Sequence, residues 1–292
     1  MVYIATKQIK SKTNILGITD RIRKKIYLNN NLRKLVGFLK VIYVTLVYNL
    51  NAFFQKRKPE FKTTCFNLGL VLPSNEGLIL DRRDEKDRIF FQLYHYACRK
   101  VSFLNKTVLE VGCSVGGGCY FIDKYLHPRQ IKGVDLIARQ VKIAQARYNN
   151  KTILFEQDDA CKLKQSQETF DVVVNIESSH GYKDFSAFLT GVYNCLKPNG
   201  KFVLADIRYN YDIAELEKSI KDAGFSIIHR EDISAMVVEA LNLSDQSKRK
   251  LLSKVPFLAT LFGSFVGLKG SRNYNYLKNG KLVYMNYVMM KE

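Results

Sequence analysis

The chain has 292 residues, 47% hydrophobic and 25% charged, which suits one large domain or a domain with an added subdomain and excludes wholesale disorder. Its formal charge is +19, and residues 1–60 carry 13 Lys and Arg against only Asp20 and Glu60, so more than half of the excess sits in a fifth of the chain. Six cysteines without a C-x-x-C pair and only four histidines exclude a clustered zinc site, so no metal is expected; without a secretory-signal pattern, reduced thiols in an intracellular protein are.

Residues 1–34 are basic and polar with little periodicity; a basic block such as 1–60 can bind RNA, meet an anionic membrane, or simply be solvated. Residues 35–54 are apolar but broken by Lys40, Asn49 and Asn51, and the uninterrupted part, 41–48, is too short for a ~30 Å hydrocarbon core. Basic residues flank it on both sides, which leaves a helix packed on the domain or lying in a membrane interface ahead of a span. Residues 61–100 read as a connector that ends in a helix-like run over 84–100. Residues 1–60 are thus a basic extension, and 61–292 the main domain.

From Lys106 onward, short runs rich in Val, Ile and Leu alternate with amphipathic stretches of about a dozen residues. Strands are predicted over 107–113, 131–136, 152–157, 170–177, 201–207 and 225–232, with helices over 116–125, 138–148, 185–196 and 213–223. This alternation predicts right-handed βαβ units and a parallel sheet covered on both faces. Pro198-Asn199-Gly200 reads as a turn before the fifth strand. Residues 234–254 read as helix with a break near Ser244, Asp245 and Gln246, and 282–290 as a last strand.

The sharpest signal is TVLEVGCSVGGG, residues 107–118, where a strand enters a glycine-rich turn and a helix begins. Glycines let backbone approach a ligand, and the unpaired N–H groups of a helix start favour an anion. A nicotinamide dehydrogenase would need G-x-G-x-x-G; Ser114, with glycines at 112, 116, 117 and 118, misses that spacing.

The segment resembles motif I of class I S-adenosylmethionine-dependent methyltransferases, roughly (D/E)-x-G-x-G-x-G. The resemblance makes Glu110 the motif acid and Gly112, Ser114 and Gly116 the cradle for the methionine half of the cofactor. It places Asp135, at the end of the second strand, on the ribose hydroxyls, where two carboxylate oxygens accept two protons. Leu136, Asp159 near the adenine amino group, Ala160 and Asn175 complete the implied set. Taken singly, these residues read as a tight turn, a helix cap and a solvated acid; together they follow strands one, two and three in order.

A narrower resemblance lies in Asn175-Ile176-Glu177-Ser178-Ser179-His180-Gly181-Tyr182. It is similar to the N-V-E-(A/S)-S-H-C-Y segment of the phthiotriol/phenolphthiotriol dimycocerosates methyltransferases. Leu93-Tyr94-His95, Leu126-His127-Pro128, Ala205-Asp206-Ile207-Arg208 and residues 242–249 extend it over roughly 64–292. The resemblance implies a Rossmann-like α/β fold with seven mostly parallel strands, an antiparallel terminal strand and a helical lid at about 233–275. It also implies methyl transfer to a hydroxyl of a hydrophobic small molecule or lipid. Ser114 and Gly181 depart from its Gly and Cys. Ser114 is harmless if its φ is negative and weakens cofactor binding if the loop needs positive φ.

A hydroxyl acceptor must lose a proton, so a base is needed; His180, after the fourth strand, is the first candidate, with Glu177 orienting it or meeting the cofactor. Tyr94, His95 and Tyr182 are expected around the substrate. Peripheral membrane association at the cytoplasmic face, or a cytoplasmic location, fits a lipid substrate. Nucleic acid is disfavoured, because the charge lies outside the catalytic domain and no N/D-P-P-(Y/F) motif follows strand four. Carbon methylation of an isoprenoid, or a non-catalytic membrane-associated protein of this fold, stays open at this point.

Overall fold

The computed structural model describes residues 62–74, 77–148, 151–254 and 266–292; the extension at 1–60 and its apolar segment lie outside the described residues. Apolar runs without polar alternation become the central strands, buried on both faces: β1 (Thr107–Val111) is buried at every position and β4 (Phe170–Ile176) at all but Asp171. β2 (Gln130–Asp135) lies beside β1, and β3 (Ile153–Gln157), with one buried position, forms an edge. With β5 (Leu196–Tyr209), β6 (Phe225–Asp232) and β7 (Leu282–Lys291), the order is β3-β2-β1-β4-β5-β7-β6. β7 runs antiparallel between β5 and β6, and the β1 to β5 pairings are parallel. The sequence direction reverses between β1 and β4, and the C-terminal ends of those strands form the place where open α/β sheets take ligands.

Helices cover both faces. On one lie α1 (Arg88–Cys98) and α2 (Gly117–Leu126), with α3 (Ala138–Arg147) beside β2 and β3. α4 (Phe185–Cys195) and α5 (Ile213–Asp222) cover the other through Phe188, Leu189, Val192, Leu216 and Ile220. Between β6 and β7 the chain inserts α6 (Ser234–Leu252) and α7 (Arg272–Lys278), which join the face that holds α1. Among the described residues no helix is long and apolar enough to cross a membrane. All six cysteines are free and buried.

Two expectations are corrected. α6 runs unbroken through Ser244, whose hydroxyl donates to the Ala240 carbonyl at 2.7 Å and so stays within the helix. Pro198-Asn199-Gly200 does not precede the fifth strand but lies inside β5, where the register with β4 shifts between Phe170 and Val172 and Asn199 takes φ +61°.

Candidate active site

The loop between β1 and α2 is pinned at both ends. Gly112 and Cys113 donate backbone N–H groups to the Val134 carbonyl at 2.8 and 3.0 Å, and Ser114 N–H donates to Asp135 Oδ2 at 2.9 Å. Asp135 Oδ1 accepts the Ile137 N–H at 2.9 Å, so one carboxylate ties the turn to the end of β2. Burial raises the Asp135 pKa against these two N–H groups. Ser114 sits at φ +50°, so the loop does need positive φ here.

The glycines serve three different contacts. Gly112 (φ +80°) abuts Ser178, whose Oγ would lie 2.1 Å from an added Cβ. Gly117 admits the Thr64 carbonyl, 2.0 Å from the same construction, and Gly118 admits Glu110 and the Tyr94 ring. Glu110, only 1% exposed, accepts from Tyr94 Oη at 2.6 Å and Cys119 Sγ at 2.9 Å. Burial raises its pKa to about 7 despite those donors. Glu110 thereby supports the loop from behind, and Tyr94, expected at the substrate, is bonded to it. His95 follows Tyr94 on α1, about 100° further round the helix, and is half-buried.

β4 delivers the second half of the site. Asn175 is fully buried and donates Nδ2 to the Val111 carbonyl at 2.8 Å and to Tyr182 Oη at 2.9 Å; Tyr182 also bonds Ser178 Oγ at 2.8 Å. The Tyr182 hydroxyl is thereby tied to the glycine-loop side of the site. After β3, Asp158 is buried and caps local N–H groups, whereas Asp159 is more open, accepting from Cys161 N at 2.9 Å with Lys183 Nζ at 3.4 Å. Ala160 is buried beside it, and Leu136 is 44% exposed at the end of β2.

His180 Nδ1 lies 2.7 Å from Asp206 Oδ1, and its backbone N–H reaches Oδ2 at 2.8 Å. Asp206 is 2% exposed at the C-terminal end of β5 and also receives Ser179 Oγ at 2.7 Å and Arg208 Nη1 at 2.9 Å. Burial alone would raise its pKa, but the Arg208 guanidinium and the hydrogen bonds from His180 and Ser179 hold it well below the usual carboxylate range. Because a carboxylate only accepts, Nδ1 carries the proton and Nε2 the lone pair. The carboxylate that orients the imidazole is thus Asp206, not Glu177.

Glu177, at φ +50°, faces the helix-insertion side. Its Oε2 accepts Leu68 N–H at 2.7 Å and Tyr284 Oη at 3.0 Å, joining the segment before α1 to β7. Burial raises its pKa to about 8. Lys248 occupies the inward stripe of α6 formed by Val237, Leu241, Ser244 and Leu252, and its Nζ donates to the Val266 carbonyl at 3.0 Å. Burial lowers its pKa to about 8 against the charges of Glu177 and Asp245. Sequence reasoning missed Asp206, Ser179, Tyr284 and Lys248 as site residues; Lys248 was detectable as a cation interrupting an apolar stripe.

The methyltransferase domain family matches residues 109–204, from β1 into β5. The phthiotriol/phenolphthiotriol dimycocerosates methyltransferase of Mycobacterium leprae is 33% identical over 218 residues, covering 74% of this chain and 81% of its own. The chain belongs to that methyltransferase family. A fatty-acid O-methyltransferase of Mycolicibacterium smegmatis is 32% identical over 81% of this chain and 86% of its own. The fold matches the cyclase SpnF at TM-score 0.63 and 18% identity, over 85% of this chain and 96% of that one.

Membership of the methyltransferase family makes S-adenosylmethionine the cofactor. The residues at the loop fit it. Ser114 Oγ and Asn175 Oδ1 are buried polar atoms without a hydrogen-bond partner among the described residues, one on the loop and one on β4 beside it. Such atoms are costly unless a ligand or water meets them. The carboxylate of Asp135, a partly buried residue, keeps lone pairs beyond the two that its backbone donors use.

Proposed function

We propose that this enzyme transfers a methyl group to a hydroxyl of a hydrophobic small molecule or lipid, with His180 as the general base. The observation that carries the reading is the His180–Asp206 pair: an imidazole at the end of β4, fixed in one tautomer by a carboxylate kept ionised by Arg208. The named substrates of the relatives, dimycocerosates and fatty acids, support a lipid-like acceptor.

When bound, S-adenosylmethionine supplies a methyl group already activated on a sulfonium, so the protein's main work is alignment and proton removal. Asp135 would take the ribose hydroxyls, the turn at Gly112, Ser114 and Gly116 the methionine portion, and Leu136, Asp159, Ala160 and Asn175 the adenine side and the floor. His180 Nε2 takes the acceptor's proton, and Asp206 stabilises the imidazolium that results, as in other His–carboxylate pairs. Glu177, tied to Leu68 and Tyr284, shapes the opposite wall.

The test compares His180→Ala and Asp206→Asn with wild type, using a long-chain hydroxylated acceptor. Loss of a general base costs about 10²–10⁴ in kcat, while the cofactor Kd read by calorimetry stays within about threefold. Wild-type turnover in His180→Ala would remove the histidine from this role.

A further inference from the structure

The basic extension at 1–60 is not the chain's only concentration of charge. From Lys248 to Lys281 the sequence holds eight Lys or Arg and no Asp or Glu. This stretch is the end of α6, the connection to α7, α7 itself and the turn into β7. Arg249, Lys250, Lys254, Lys269, Arg272 and Lys278 are all exposed. The fold gathers them: Lys269 N–H donates to Asp245 Oδ1 at 2.8 Å, Arg249 Nη2 to the Lys269 carbonyl at 2.7 Å, and Tyr274 Oη to Asn242 Oδ1 at 2.8 Å. Asp245, the preceding acid, is neutralised by Arg249 at 2.8 Å.

Apolar and aromatic groups lie among these cations. Leu243, 67% exposed, shares an outer face of α6 with Lys250 by their spacing of seven residues. Tyr276 of α7 meets Tyr209 edge-on, Tyr209 stacks on Tyr211 with centroids 5.1 Å apart, and Tyr211 is 62% exposed. Lys281 Nζ lies 4.6 Å above the Tyr276 ring. Exposed tyrosine, a protruding leucine and exposed cations in excess over acids are what a bilayer interface selects for. A nucleic-acid groove would need no exposed leucine.

We propose that the insertion formed by the C-terminal half of α6, residues 266–271 and α7 is the face by which this enzyme docks on an anionic lipid bilayer. The insertion also carries Lys248, the cation opposite Glu177, so the docked face adjoins the acceptor side of the site. An apolar acceptor would then enter from the bilayer without crossing water. The docking face stands on the charge and shape of the insertion, whatever the acceptor.

The test is flotation of the full chain with vesicles of phosphatidylcholine, either pure or with about one-third phosphatidylglycerol. Wild type is expected to float with the anionic vesicles only, and to be released in about 0.5 M salt. The triple variant Lys250→Gln, Lys269→Gln, Arg272→Gln is expected to lose about tenfold or more in partitioning, as removal of three surface cations demands. Its melting temperature and cofactor affinity should match wild type, since all three side chains are exposed. Equal flotation of variant and wild type would assign binding to another surface and overturn the proposal. So would binding to single-stranded RNA with no affinity for either vesicle. None of these readouts uses turnover, so they are independent of the hydroxyl-methylation reading.

Discussion

Ser114 holds φ at +50° where glycine would sit without strain, and its buried Oγ has no partner among the described residues. A non-glycine residue in the left-handed region costs about 1–2 kcal/mol, offset in part by the greater freedom glycine has when unfolded. Ser114→Gly is therefore expected to raise the unfolding free energy by about 1 kcal/mol in urea titration. An unchanged or lower value would mean that the serine is compensated in the loop. Glu110 makes a pH prediction. Folding raises its pKa from 4.5 to about 7, so between these values the native state holds a proton that the unfolded chain has released. Stability consequently falls as pH rises through that window. Glu110→Gln should flatten the decline between about pH 5 and about pH 7, by up to ~1.4 kcal/mol per pH unit. An identical slope in the variant would show that other groups cause it.

At the scale of elements, the segment before α1 is as much a part of the site as the glycine loop. Leu68 N–H meets Glu177, Arg147 Nη1 donates to the Thr63 carbonyl at 2.6 Å, and Val71 N–H to the Met236 carbonyl at 3.2 Å. Its approach to α2 depends on Gly117. Alanine there would gain up to about 1 kcal/mol in helix propensity, but its Cβ would press on the Thr64 backbone, where overpacking costs about 1–3 kcal/mol or more. Gly117→Ala is thus expected to lower stability by about 2 kcal/mol and to speed proteolysis near residue 64. A gain in stability would contradict the packing assigned to that glycine.

The same scale explains what the sequence disclosed. β1 and β4 were legible because burial on both faces leaves an uninterrupted apolar run. Ser-Asp-Gln in α6 and Pro-Asn-Gly in β5 look like punctuation locally, yet a back-bonding hydroxyl and a register shift absorb them. The partnership of His180 with Asp206 was not legible. It joins residues 26 apart through the β4–β5 register, which no local pattern encodes.

At the scale of the whole molecule, the sheet separates two tasks. In the proposed function the ends of β1 and β2, with Asp135 and the turn at 112–116, are the cofactor side. In the proposed function the ends of β4 and β5, with His180, Asp206 and Glu177, are the acceptor side, next to the insertion before β7. The family match fixes the cofactor chemistry, and the orientation of His180 argues for oxygen as the acceptor atom. The most direct measurement is carbon-13 NMR of the product formed by the wild-type enzyme from methyl-labelled S-adenosylmethionine and a hydroxylated lipid. The account predicts the label in a methoxy resonance, its appearance abolished in His180→Ala. A labelled methyl bonded to carbon, or a methoxy product formed as fast without His180, would contradict it.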